Sequence, residues 1–292
     1  MTEFVEALFT QGFLQHALLA ALLASFGCGV IGTYVVVKRI GYMAGGIAHT
    51  VLGGMGIAYF LGRDPLLGAM VAAIVAALVI GWVSLHWKQH EDTIIGALWA
   101  VGMAVGVLFI ARTPGYSVDL MSYLFGNILM VSHTDLLVMT ILDAVVAGLV
   151  ALFYKQFLAV CFDEEFARIR GVNVSVFYLL LLCMVAVTVV SLIQVVGLIL
   201  VIALFTLPAA TARQYTGSVV GMMVGACLLG AVFGVAGLTV SFNTNLPSGA
   251  TIILLAGFTY FVSFLAKLVQ RNFSRARANR RCTASTRHQE GK

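Results

Sequence analysis

Apolar positions in this chain come in long, nearly unbroken runs, not in the short alternations of a water-soluble core. Runs of spanning length fall at about 13–37, 44–61, 66–86, 93–111, 133–154, 174–194, 197–212, 218–240 and 249–268. A helix needs about 20 residues to cross a hydrocarbon layer. The pattern therefore predicts nine spans, or eight if one of the short runs, the second or the seventh, is broken or re-entrant. No succession of alternating ten-residue strands is present, which argues against an outer-membrane barrel. The expected fold is an all-α integral membrane protein, a polytopic bundle with 8–9 transmembrane helices over residues 1–270. Residues 271–292 form a basic segment expected to be a flexible cytoplasmic tail. The first run, Phe13 to Val37, exceeds a signal-peptide core and has no basic segment before it, so it reads as a retained helix.

Composition sharpens this picture. The chain has 61% hydrophobic and 10% charged residues, against roughly 25% charged in soluble domains. Thirty glycines accompany only four prolines. Small residues let membrane helices approach closely, and Gly102 with Gly106, Gly217 with Gly221 and Gly225, and Gly230 with Gly234 have the spacing for it. They read as packing positions. The cysteines Cys28, Cys161, Cys183, Cys227 and Cys282 show no CxxC spacing, so neither a zinc knuckle nor a disulfide framework is indicated.

Charge orients the bundle. Placing Lys38, Arg39, Lys88, Lys155 to Arg170, Arg213 and the C-terminal segment on one side leaves only Arg63 and Arg112 on the other. The positive-inside rule makes the rich side cytoplasmic. Nine spans then put the N-terminus outside and the C-terminus inside. The net charge of +5 is a membrane-surface signal of this kind, suited to lipid headgroups and not to nucleic acid.

Several function classes lack their motifs. There is no GxxxxGK[ST] phosphate loop, so ATP-driven work needs a partner subunit. Neither HExxH nor GxSxG occurs, which removes the usual membrane-protease signatures. A stand-alone gradient-driven transporter or channel would place several charged groups inside its spans. Only His49 and Asp143 lie deep.

The inner segment from Phe162 to Gly171 reads as a short capped helix. Asp163 suits the N-cap, Glu164 and Glu165 the positive end of the dipole, and Arg168 and Arg170 the negative end; Gly171 can terminate it. Phe162, Phe166 and Ile169 make one apolar edge. Such an element is either an interfacial surface helix or a lever gripped by a cytoplasmic partner.

Six stretches in order give the chain a family likeness: Val35–Tyr59, Glu91–Gly96, Val118–Leu129, Phe162–Val174, Val195–Ala212 and Leu246–Ile253. Together they resemble the permease subunits of ATP-binding-cassette importers for zinc, manganese and iron. The resemblance implies a permease of a bacterial or archaeal cytoplasmic membrane that works with a second copy of itself, a cytoplasmic ATPase and an extracytoplasmic metal-binding protein. It makes the segment about 162–171 the coupling helix. The divalent metal ion is then cargo, with no permanently bound cofactor.

A divalent ion crossing the bilayer needs polar ligands. His49 lies among Gly45, Gly46, Gly53 and Gly54, with room at a channel wall, and imidazole ligates first-row metals. It could equally bond a neighbouring helix; the family likeness implies the pathway role. Many relatives carry Asp one turn before that histidine, but here the position is Gly45. Asn127 and Asn245 likewise stand where Asp would be expected, so the pathway is less acidic than the family pattern and the metal stays open among Zn²⁺, Mn²⁺ and Fe²⁺. Asp143 either lines the pathway or bonds a neighbouring helix. His133 and Asp135 read as solvated outer-edge residues, His16 as interfacial, and His86 and His90 as headgroup-level residues. Pro208 is expected to kink or interrupt its helix, and Ser248 or Asn245 to cap the last one.

Overall fold

The computed structural model describes residues 6, 8–113, 126, 128–244 and 246–289. The helices are α1 (Gly12–Lys38), α2 (Gly41–Phe60), α3 (Pro65–His86), α4 (Glu91–Arg112), α5 (His133–Leu152), α6 (Tyr154–Phe162), α7 (Glu164–Ile169), α8 (Val174–Val196), α9 (Leu198–Arg213), α10 (Val219–Thr244) and α11 (Ser248–Gln289). Among the described residues, eight helices are long and apolar enough to cross a membrane. The ninth, α9, has 16 residues, or about 24 Å of helix. It leaves the end of α8 at Gly197, and its last residue, Arg213, donates to the Val36 carbonyl near the end of α1. Asn127 and Asn245 lie outside the described residues.

Local chemistry sets the helix ends. Asp64 accepts from the Leu66 N–H with Pro65 in the first turn of α3, where the missing proline donor costs nothing. Ser132 and Asp135 form a capping box at α5. The turn from α8 to α9 passes through Gly197 at φ 80°, a conformation that favours glycine. α11 continues unbroken through Gln289, so helix extends into the basic segment for which composition suggested a flexible tail.

Of the kink or interruption expected at Pro208, the interruption does not occur: α9 runs through it as continuous helix. Proline removes one backbone donor, but packing holds the stretch together. Pro208 is buried, and Gly32 of α1 brings its backbone against the Phe205 carbonyl of α9.

Glycines set the closest packing, as the spacing of Gly102 with Gly106 and of Gly230 with Gly234 suggests, whereas an added Cβ on Gly217, expected to pack, would meet nothing within 4 Å and one on Gly221 only its own turn. A Cβ on Gly53 would stand 2.8 Å from the Gly102 carbonyl oxygen, and one on Gly56 2.6 Å from that of Gly106. α2 and α4 thus touch backbone to backbone and run parallel. On the other side of α2, Gly54 meets the Gly68 carbonyl of α3 in the same manner. α10 runs antiparallel to α1, with Gly230 beside Ser25 and Gly234 beside Ala21. Lys38, α6, α7, Arg213 and Lys267 gather at one end of the bundle, and the His16–His133 pair lies at the other.

Candidate functional site

His49 sits mid-α2, one turn after Gly45, and is 8% exposed. Its Nδ1 lies 2.8 Å from the Gly45 carbonyl oxygen. A carbonyl can only accept, so Nδ1 carries the proton and Nε2 keeps a lone pair. The imidazole lies nearly flat on the indole of Trp99 from α4, with centroids 3.8 Å apart and planes inclined by 22°. The Tyr42 ring lies 6.2 Å from that indole. A Cβ on Gly45 would touch Trp99 Cζ3 at 3.4 Å. The indole therefore stands directly against the face of α2 that bears Gly45.

Asp143 occupies a different wall. It is 4% exposed, on α5, which packs against α1 and α8, whereas α2 packs against α3 and α4. Its Oδ1 lies 2.5 Å from the place a Gly27 Cβ would take, beside the Thr188 methyl. Its Oδ2 has no hydrogen-bond partner among the described residues. The structure does not bring Asp143 to His49. Among the described residues no three His, Cys, Asp or Glu side chains form a metal cluster.

At the Lys/Arg-rich end the inner segment is two helices. Phe162 closes α6, and Asp163, extended at φ −150°, separates it from α7. The expected helix over 162–171 is thus shorter, Glu164–Ile169, because Asp163 turns the chain so that its side chain caps the Phe166 N–H at 2.9 Å. The rest of the expectation stands: Glu165 lies in the first turn with Glu164, Arg168 in the last, and Gly171 follows at φ 77°. Arg170 lies over the Phe166 ring at 4.9 Å. Phe162, Phe166 and Ile169 are 66%, 48% and 85% exposed, an apolar edge turned outward.

Lys38, the last residue of α1, anchors this element. Its Nζ donates to the Val160 carbonyl at 2.9 Å and to Glu164 Oε1 at 2.5 Å. Beside it, burial pushes the Cys161 thiol up to about 11; Lys38 opposes the rise and Glu164 adds to it. Tyr178 of α8 lies next to Lys38 and joins α3 and α2, with its hydroxyl 3.0 Å from Ser84 Oγ and 3.1 Å from Met43 Sδ.

The remaining histidines stand apart from His49. His16 and His133 meet edge to face at 6.3 Å. His86 stacks on Trp82 and bonds its carbonyl. His90 shares a surface pocket with His86 beyond the end of α3. Asp135 is used by its capping box.

Sequence reading missed Trp99, Lys38 and Tyr178. Each gains its meaning from a partner distant in the chain. For Trp99 a signal was present in the matched glycine pairs Gly53–Gly102 and Gly56–Gly106. That register carries residue 49 to the level of residue 99.

Comparison with known proteins agrees with this architecture. The ABC 3 transport family matches residues 10–267. A membrane protein of Synechocystis is 47% identical over 251 residues, covering 86% of this chain and 89% of its own. The manganese transport system membrane protein MntC of Listeria monocytogenes is 38% identical, covering 90% of this chain and 93% of its own. The solved structure of PsaBC from Streptococcus pneumoniae in complex with Fab matches with a TM-score of 0.82 and 33% identity, over 90% of this chain and 95% of that one. With the match spanning residues 10–267, the chain belongs to the ABC 3 transport family.

Proposed function

We propose that this chain is the membrane permease of an ATP-driven importer that carries a divalent transition metal, with Mn²⁺ the first candidate, into the cytoplasm. The observation that carries the reading is α7. It is a capped helix with an exposed apolar edge, anchored to α1 by Lys38 at the basic end of a chain without a phosphate loop. A partner ATPase supplies the hydrolysis, and α7, with Arg168 and Arg170, is the element it grips. The basic end then faces the cytoplasm, as the positive-inside rule requires. The membrane is the cytoplasmic membrane of a bacterium or archaeon, and an extracytoplasmic metal-binding protein delivers the ion to the opposite end.

Manganese comes first because relatives such as the Listeria protein are named for it. The ion is cargo. His49 offers its Nε2 lone pair to it, and a second copy of the chain would bring a second imidazole. ATP binding shifts the assembly between inward-open and outward-open states, with α7 receiving the displacement and Lys38 passing it to α1.

The test is purification in mild detergent from the native membrane, followed by uptake in vesicles. An ATPase with a Walker motif is expected in near-equal amount, together with ATP-dependent Mn²⁺ uptake. Arg168→Glu with Arg170→Glu should detach or uncouple the ATPase while the bundle stays folded. Recovery of the chain alone after gentle cross-linking, or normal ATP-dependent uptake by the double variant, would refute the reading and favour a stand-alone gradient-driven transporter.

A further inference from the structure

We propose that Trp99 is the positioning residue for His49, with its indole lying beside the bare Gly45. The inference rests on the reading of His49 as a cargo ligand and goes beyond it to the residue that aims the ligand.

Two constraints act on the imidazole. The Nδ1–H bond to the Gly45 carbonyl, 2.8 Å long, fixes the tautomer. That bond alone leaves the ring able to rock about its own axis. The indole of Trp99, 3.8 Å away and inclined by 22°, lies across one face and stops that motion. Nε2 is then held in one direction, with its lone pair in the plane of the ring and not under the indole. A flat stack leaves in-plane coordination open. It also suits the ligated state, because an imidazole that gives electron density to a cation presents a more positive face to the indole π-cloud.

Gly45 completes the arrangement. A Cβ there would meet Cζ3 of Trp99 at 3.4 Å, an ordinary van der Waals contact. A longer side chain at position 45 that turned toward the indole would run into the ring. A carboxylate turned that way and the stacked indole compete for the same space. Tyr42, one turn before Gly45 on α2, brings its ring within 6.2 Å of the same indole. This chain presents its cargo with one neutral, aromatic-braced imidazole, where an Asp–His pair on the same turn would offer a charged and more mobile site.

The assembled transporter tests this with tryptophan emission and uptake together. The chain has three tryptophans, so Trp82→Phe with Trp87→Phe leaves Trp99 as its sole reporter, and a further Trp99→Phe change supplies the blank for the partner subunits. Titration with Co²⁺, a quenching transition ion, is expected to quench the Trp99 emission saturably, and His49→Ala to abolish the quench. Trp99→Ala should raise the KM for Mn²⁺ uptake about three- to tenfold, the worth of one aromatic stack, with kcat little changed. Trp99→Phe should recover most of the loss. Gly45→Asp should raise KM in the parent, and Trp99→Ala should relieve part of that rise.

A Trp99→Ala variant with the parent KM, or a Trp99 emission unchanged by an ion that the complex does transport, would overturn the positioning role and leave the importer reading intact. A parent complex that moves no divalent metal under ATP would overturn both.

Discussion

Replacing Lys38 by methionine removes one ammonium and keeps most of its aliphatic stem, which isolates the anchor of α7. Two hydrogen bonds are lost, to the Val160 carbonyl at 2.9 Å and to Glu164 at 2.5 Å. The Lys38 side chain is 15% exposed and that of Glu164 35%. Fully exposed pairs contribute about 0–1 kcal/mol, and hydrogen bonds to charged groups about 1.5–3 kcal/mol. Glu164 regains water when its partner leaves, so the full cost of a buried orphan charge does not apply. The balance is about 2 kcal/mol, or about thirtyfold in the equilibrium between seated and released α7. Hydrogen exchange reads that equilibrium at the amides of Ala167 and Arg170, which bond the Asp163 and Phe166 carbonyls. Their protection should fall about thirtyfold, while amides in the middle of α1 keep theirs. Uptake per ATP hydrolysed should fall with it, and Lys38→Arg should restore most of both. Protection within threefold of the parent would show that Lys38 does not hold α7.

Cys161 offers a second check at the same place. With its thiol pushed up to about 11, chiefly by burial, its alkylation rate should climb about tenfold per pH unit from pH 7.5 to 9.5 without levelling; peptide mass spectrometry follows it, and a plateau near pH 9 would show an ordinary exposed thiol. Gly54→Leu should abolish the folded protein in detergent, because Gly54 meets the Gly68 backbone and overpacking there forces two helices apart. Gly148→Leu, on an exposed site with nothing within 4 Å, should leave size-exclusion profile and melting unchanged.

The fold was legible because each span announces itself within its own residues. The run at 174–194 became α8 (Val174–Val196), and the shortest runs, α2 and α9, proved to be continuous helices. Charge placed Lys38, Lys155, Arg168 and Arg213 at one end, and the contacts from Lys38 to α6 and from Arg213 to α1 agree. Where local rules misled, neighbouring elements decided. Proline chemistry forecast a kink or an interruption at Pro208; the helix is not interrupted there, and α1 packs its Gly32 backbone against the adjoining Phe205 carbonyl. Phe162 shares a helical face with Phe166 by spacing alone, yet the extended backbone at Asp163 assigns it to α6. The site was half legible. His49 stands out as an imidazole among glycines. Trp99 does not, because an indole in an apolar run reads as lipid-facing until the register of α4 against α2 is known. Lys38 and Glu164, 126 residues apart, carry no mark of each other.

The same contacts decide how a displacement of α7 can reach His49. One route passes through Lys38 into α1, which packs chiefly on α10, α9 and α5 and only slightly on α2, the helix that bears His49. The other passes through α8, which follows α7 after a link of four residues and carries Tyr178. The Tyr178 hydroxyl contacts Met43 on α2 and Ser84 on α3, and Ser84 in turn donates to Glu91 at the start of α4. All three helices of the His49 unit are therefore held at the basic end by one hydroxyl-centred cluster. Met43 lies six residues before His49 on the same helix. Because α2 and α4 touch through their backbones at Gly53–Gly102 and Gly56–Gly106, they cannot slide past each other without breaking close packing. On the proposed reading, a push on Tyr178 would move His49 and Trp99 together, and the stack that aims Nε2 would survive the stroke that carries it.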